Sequence, residues 1–337
     1  MESIGIIGAG AWGTALAAVA AQAGRRVVLW AMEDEVIEAV NSRHENSVFL
    51  PGVSLPETVE ATGNLAEAGD TDAVLLVAPA QHLRGVSTRL RLLIRPRTPA
   101  VICSKGIEQG TLKLMSEVVA ETLPQVEISV LSGPTFAREV ALGSPTAVTL
   151  AAADEEVGAS LVEGLGQRAF RPYLSTDVIG AQIGGAVKNV LAIACGIVQG
   201  KEFGENTRAA LMTRGLAEIL RLGDALGAKR ETLMGLSGLG DLILTCSSAQ
   251  SRNMSLGMEL GKGRALEEIL GERRSVAEGV YSASATVALA AKHGVDMPIC
   301  AAVDAVLNQG GDIDSMVEQL LNRPFKHEVS GQPATAS

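Results

Sequence analysis

Gly8-Ala9-Gly10-Ala11-Trp12-Gly13 follows the apolar run of residues 4–7 and leads into Thr14-Ala15-Leu16-Ala17-Ala18-Val19-Ala20. The pattern reads as strand, tight turn and helix. Its Gly-x-Gly-x-x-Gly spacing suits a dinucleotide pyrophosphate: the first glycine makes the turn, the second lets backbone approach the phosphates, and the third lets helix and strand pack. The anion then rests on the free amides and positive end of the helix. A plain strand-to-helix turn has the same outline, so the flanking sequence must supply the rest of the unit. Arg25-Arg26-Val27-Val28-Leu29-Trp30 does so as a second strand, entered through Gly24, a good helix C-cap. The result is a βαβ unit of about 30 residues, the context that the glycine motif requires.

In such units an acid about 20 residues past the glycines accepts hydrogen bonds from the adenosine ribose. Glu33 and Asp34 stand there, after Met32. They serve equally well as the N-terminal acids of a helix over residues 35–40, and both readings stay open. No Arg or Lys accompanies them to hold a 2′-phosphate, so NAD(H) is the expected cofactor and NADP(H) the alternative.

The 337 residues exceed the size at which one core usually stops growing, and two domains are expected. Apolar residues at 47% and charged residues at 20% exclude general disorder. The 38 acids outnumber the 28 Lys and Arg, for a net charge of -10, which argues against nucleic acid or an anionic membrane surface as partner. An anionic substrate would need a local cluster of cations. Cys103, Cys195, Cys246 and Cys300 lie far apart and read as reduced and structural. Neither they nor His44, His82, His293 and His327 have metal-ligand spacing, so no metal is expected. Residues 3–24 carry no charge over a length that could span a bilayer. Glu2 leads that run and glycines interrupt it, and a buried parallel strand also reads as continuous apolar sequence, so stable membrane insertion is not expected.

Three further strands are predicted over residues 72–79, 99–106 and 127–131. In open parallel sheets ligands bind beyond the carboxyl ends of strands, so Pro79, Lys105 and Gly133 to Ala137 point at one crevice. Lys105 is either part of that site or a solvated charge closing its strand. Beyond residues 145–150 a last αβ unit ends near Tyr173. Residues 178–200 then hold a single charge, Lys188. Burying an ammonium is costly unless it is paired or its pKa falls, and a lowered lysine pKa is what a general acid or base near neutrality requires. The alternative is a packed stem with its head reaching water. Residues 207–226 and 277–292 have helical spacing. Between them Gly235-Leu236-Ser237-Gly238-Leu239-Gly240-Asp241 suggests backbone brought close to a ligand, and Arg252 offers a planar fork for a phosphate. Residues 326–337 read as a disordered tail.

Five blocks in order carry a resemblance: Ser132-Gly133-Pro134-Thr135-Phe136-Ala137, Gly184-Gly185-Ala186-Val187-Lys188-Asn189-Val190, Thr213-Arg214-Gly215-Leu216-Ala217-Glu218, Gly238-Leu239-Gly240-Asp241-Leu242 and Gln250-Ser251-Arg252-Asn253. With the opening turn they make residues 4–322 resemble the bacterial NAD(P)-dependent glycerol-3-phosphate dehydrogenase family. The resemblance implies a cytoplasmic enzyme that interconverts dihydroxyacetone phosphate and sn-glycerol 3-phosphate and supplies the phospholipid backbone. By the same resemblance Lys188 is the proton-transfer lysine, and Lys105 touches both cofactor and substrate. Gly133 and Thr135 contact substrate, Asp241 is the substrate-side aspartate, and Ser251, Arg252 and Asn253 hold the phosphate end. Gly8, Gly10, Ala11, Trp12, Gly13, Glu33, Ala137, Arg252, Val276 and Glu278 fall on the cofactor side. Asp241 would keep Lys188 charged or orient it, with Thr245 as a neighbour.

The sequence departs from the family pattern at three points. Ala11 stands where many members have Ser, Met32 where His or Arg is common, and Val280 where Tyr is usual. Ala11 leaves cofactor recognition there to backbone amides, and Met32 favours NADH or dual use. The expected architecture is a Rossmann-type doubly wound α/β domain over residues 1–177, followed by an all-α substrate domain over 178–325, acting on a small phosphate as a homodimer. Two other readings are a related dehydrogenase acting on a carboxylate and a catalytically silent NAD-sensing protein. The phosphate-suited cations oppose the first, and retention of Lys188 and Asp241 opposes the second.

Overall fold

The computed structural model describes residues 1–272 and 277–325. Eight strands form one sheet: β1 (Ser3–Ile7), β2 (Arg26–Trp30), β3 (Val59–Thr62), β4 (Ala73–Leu76), β5 (Pro99–Ile102), β6 (Glu127–Ser132), β7 (Thr146–Ala152) and β8 (Phe170–Ser175). Their order is β3-β2-β1-β4-β5-β6-β7-β8. The chain runs outward from β1 to β3, returns to β4 beside β1, and then runs outward the other way. The crevice between the carboxyl ends of β1 and β4 is thus a topological switch point, where such sheets bind ligands. Helices cover both faces, which is why the central strands are continuous apolar runs: Ile4, Ile6 and Ile7 of β1 and all four residues of β4 are buried.

Several expectations change in detail. The sheet is not parallel throughout, because β7 runs antiparallel to β6 while β8 is parallel to β7. Edge strand β3, with its single alternation of buried and exposed residues, was not anticipated. The strand expected over residues 99–106 stops at Ile102, so Lys105 belongs to the loop beyond it. Val276 and the expected tail at 326–337 lie outside the described residues.

The second half is helical around one element, the helix Val178–Gly200, whose residues from Gly180 to Val198 are all buried. It is long and apolar enough to cross a membrane, yet 89% of its most apolar window is buried inside the protein. Asp177 caps its first turn by accepting from the Gly180 amide at 2.8 Å. Helix Arg252–Gly261 packs on it with backbone nearly touching backbone. A Cβ on Gly196 would stand 2.1 Å from the Met254 carbonyl oxygen, and one on Gly257 would stand 2.1 Å from that of Ile193. Gly200 faces Gly261 in the same way one turn further on. Glycine is required here for approach, not for an unusual φ.

This contact yields a paired test. Gly257→Ala places its methyl against a carbonyl that cannot move aside, and a loss of about 1–3 kcal/mol is expected, the usual range for overpacking. Gly85→Ala, in the exposed face of helix Leu83–Leu90 with no atom within 4 Å, should gain about 0.5–1 kcal/mol by helix propensity. Thermal or denaturant unfolding reads both, and equal midpoints for the two variants would contradict the close packing.

Candidate active site

The glycine turn has the geometry that a dinucleotide needs. Gly8 sits at φ +120°, and a Cβ there would press on Val77 and Ala78 just past β4. A Cβ on Gly13 would lie 1.8 Å from the Gly8 carbonyl oxygen, whereas one on Gly10 would meet nothing within 4 Å. Space is therefore left beside Gly10, at the start of helix Ala11–Gln22, which no side chain caps. Its first amides are the donors a pyrophosphate would take. Trp12 packs partly buried against the core, and its Nε1 is buried without a partner. Beyond β2, Glu33 is the N-cap of helix Asp34–Arg43 but makes no side-chain cap bond, and Asp34 and Glu35 supply the first-turn acids. Met32 is 72% exposed. Residues 32–34 thus place two acids and no Lys or Arg just past the end of β2.

A second cluster lies where the sheet meets the long helix. Asp241 is fully buried and opens helix Asp241–Ser247. Its Oδ1 accepts from Lys188 Nζ at 2.5 Å and its Oδ2 from Lys105 Nζ at 2.7 Å. Lys188 also donates to Thr245 Oγ1 at 2.9 Å, and Thr245, one turn after Asp241, donates to the Asp241 carbonyl at 2.6 Å. Lys105 Nζ reaches the Gly133 carbonyl at 3.2 Å, and Thr135 Oγ1 shares that acceptor at 3.3 Å. One carboxylate thus holds two ammoniums from different parts of the chain. Burial lowers the Lys188 pKa to about 8, with Lys105 adding to the effect and the Asp241 charge opposing it. The lysine is only 6% exposed, so its stem and head are both largely enclosed.

The glycine-rich stretch before Asp241 also serves close packing within the protein. Leu236–Gly240 forms a single wide helical turn. A Cβ on Gly184 would lie 2.4 Å from the Ser237 carbonyl oxygen, and one on Gly238 would lie 1.9 Å from that of Leu233. These two glycines bring backbone against backbone of the same protein. The close seat delivers Asp241 to the flank of the long helix opposite Lys188.

The remaining expected residues surround this cluster. Ala137 begins the short helix Ala137–Ala141, beyond Gly133 and Thr135. Ser251, expected to hold phosphate, is buried and accepts from the Met254 amide at 3.2 Å as the N-cap of helix Arg252–Gly261. That bond uses one acceptor site of the hydroxyl and not its O–H, which is the donor a phosphate would take. Arg252 is exposed in the first turn of that helix. Asn253 Oδ1 accepts from the Gly279 amide at 3.0 Å, which leaves its NH2 group as the end suited to an anion. Glu278 is half-buried beside Gly279. Burial pushes its carboxyl up, and Arg252, Lys105 and Lys188 pull it down, so these groups share one neighbourhood. Gly8 to Gly13 and Glu33 make no hydrogen bond to the lysine cluster and form a separate end of the crevice.

Three residues escaped sequence reasoning. Asn46, fully buried, donates to the Ala9 carbonyl and to Thr14 Oγ1, each at 2.8 Å, and so ties a distant loop to the glycine turn. No spacing signal links residues 37 positions apart. Asn189 follows Lys188 and is buried, and its carbonyl oxygen lies 2.9 Å from where a Cβ on Gly279 would stand. Its polarity in an apolar run was the available clue. The Ser132 hydroxyl is buried without a partner, next to the Lys105 stem across Gly185.

Two family descriptions match the chain: NAD-dependent glycerol-3-phosphate dehydrogenase N-terminus over residues 3–158 and the C-terminus of the same family over 177–318. A glycerol-3-phosphate dehydrogenase [NAD(P)+] of Parvibaculum lavamentivorans is 61% identical over 97% of this chain and 98% of its own length. That of Rhodospirillum rubrum is 62% identical over 97% of this chain and 94% of its own. The crystal structure of glycerol-3-phosphate dehydrogenase from Coxiella burnetii, 41% identical, superposes with a TM-score of 0.92 over 96% of this chain and 99% of that one. The chain belongs to the NAD-dependent glycerol-3-phosphate dehydrogenase family.

Proposed function

We propose that the chain interconverts dihydroxyacetone phosphate and sn-glycerol 3-phosphate with NAD(P)H, with Lys188 moving the proton. The observation that carries this reading is the buried Lys188–Asp241–Lys105 arrangement beside an arginine and an asparagine amide. When bound, the nicotinamide supplies the hydride for ketone reduction or accepts it in the reverse reaction. Lys188 gives its proton to the oxygen as negative charge develops there, and takes it back during oxidation. Asp241 and Thr245 hold the Lys188 ammonium in place, and Lys105 adds positive potential on the same side. Arg252 and the Asn253 NH2 group receive the phosphate dianion, supported by the first amides of their helix. Gly133 and Thr135 form the opposite wall. On the cofactor side Ala11 and Trp12 offer backbone amides, and Glu33 receives the ribose hydroxyls, with Ala137 and Glu278 nearer the nicotinamide end.

The division into a cofactor half, residues 1–177, and a substrate half, 178–325, belongs to the same proposal. It is supported by the glycine turn in the first and by Lys188, Asp241 and Arg252 in the second. The reading also includes a cytoplasmic homodimer that supplies the phospholipid backbone. Four free, buried thiols suit a reducing compartment.

The direct test is oxidation of NADH and NADPH with dihydroxyacetone phosphate beside a panel of 2-keto acids. Turnover confined to a 2-keto acid would refute the phosphate reading. NADH should give the higher kcat/KM because Met32, Glu33 and Asp34 offer no cation to a 2′-phosphate, and a tenfold preference for NADPH would overturn that assignment. Lys188→Ala should lose at least about a hundredfold in turnover, the general acid–base contribution, while NADH binding followed by fluorescence persists. With the Lys188 pKa near 8, ketone reduction should be flat at lower pH and fall as pH rises through about 8, and alcohol oxidation should rise over the same interval. A reduction rate that climbs across that interval would exclude Lys188 as the donor. Asp241→Asn leaves two ammoniums without their counter-charge and should cost about 3–5 kcal/mol at pH 7. The sign follows from linkage: Lys188, with its pKa lowered by burial, binds fewer protons than in the unfolded chain, so the variant should regain stability as pH rises toward the free lysine value. Thermal unfolding at pH 7 and pH 9.5 checks this, and a pH-independent deficit would contradict it.

A further inference from the structure

The segment that carries Arg252 and Asn253 is joined to the sheet half at two levels. At its inner end Lys105 meets Asp241, deep in the crevice. At its outer rim Gln250 Nε2 donates to Glu139 Oε1 at 3.2 Å. Glu139 lies on the short helix Ala137–Ala141, just past Gly133 and Thr135, and Gln250 immediately precedes the Ser251 cap. Both side chains are exposed, so neither supports the core.

The neighbouring Arg138 gives this bond a longer reach. Its Nη1 donates to the Pro51 carbonyl at 2.7 Å. Pro51 belongs to the loop anchored by Asn46, whose amide group holds the Ala9 carbonyl and Thr14 of the glycine turn. Asn46 also accepts from the Phe49 amide at 3.0 Å, which fixes the loop. A continuous series of bonds therefore runs from the turn that would bear the pyrophosphate, through the helix of Arg138 and Glu139, to the turn that would bear the substrate phosphate. Glu139 itself is a poor candidate for a ligand contact, because a carboxylate beside a phosphate dianion is repulsive. Its use lies in what it holds.

We infer that Glu139 and Gln250 are positioning residues: they form a clasp across the crevice that sets Arg252 and Asn253 over the substrate phosphate. The inference rests on the assignment of Arg252 and Asn253 to the phosphate in the proposed reaction. The clasp touches neither the carbonyl nor the nicotinamide, so its loss changes substrate affinity and leaves the proton and hydride steps intact.

Steady-state kinetics of four purified full-length variants with dihydroxyacetone phosphate and NADH test it. Gln250→Ala and Glu139→Ala should each raise KM about three- to tenfold, the range for one lost hydrogen bond, with kcat and NADH affinity within about twofold of wild type. The double variant should be no worse than either single one, since both remove the same bond. Glu139→Gln keeps an acceptor oxygen and should stay near the wild-type KM. If Glu139 acted only through its charge, both Glu139→Ala and Glu139→Gln would lower KM, and the clasp would be refuted. An unchanged KM in the single variants, or additive losses in the double variant, would also overturn it. A wild type that leaves dihydroxyacetone phosphate untouched would sink the functional reading and the clasp together, whereas an active wild type with indifferent variants would sink the clasp alone.

Discussion

One buried carboxylate holds the two halves of this molecule in register. Asp241 accepts Lys188 on one oxygen and Lys105 on the other. Lys188 comes from the long central helix and Lys105 from the loop after β5. A lone anion in that position would be expensive to desolvate, and either ammonium alone would be too. Together they leave the pocket one unit positive in a place shielded from water, where charge interactions are strongest. In a chain of net charge -10 that local excess is the field the proposed dianionic substrate would meet.

The carboxylate can occupy that position only because backbone is allowed to touch backbone. Gly184 removes the side chain that would hold the Asp241 turn away from the long helix, and Gly238 lets that turn close against Leu233. Gly196, Gly200, Gly257 and Gly261 do the same for the helix that begins at Arg252. The apolar character of residues 178–200 follows from this crowding on every side.

Much of this was legible from residue types alone. The glycine turn and the apolar strands identify a nucleotide-binding sheet, and Lys188 stands out because nothing else in its helix is charged. The pairing of Lys188 with Asp241 is another matter. They are 53 positions apart, and only the family resemblance placed them together. The glycines before Asp241 were visible, but their partner was not, because a sequence records a need for close approach without saying whether a ligand or the protein's own backbone does the approaching. Ser251 was assigned to phosphate, and its hydroxyl also accepts from Met254 as a helix cap, a second use visible only once the helix boundary is known. The reversal of β7 and the Asn46 tether depend on pairings between distant segments, which local periodicity does not encode.

The glycine contact between the helix Val178–Gly200 and the helix Arg252–Gly261 has a consequence for how far apart the two helices can stand. Rotamers, the usual means by which a pocket adapts its width, are missing from this seam. The spacing of the two helices along it is therefore set by main-chain thickness, as the jaws of a fixed gauge are set by their frame. A methyl added at Gly196 or Gly257 would have to part the helix of Lys188 from the helix of Arg252, so the seam tolerates no intermediate width.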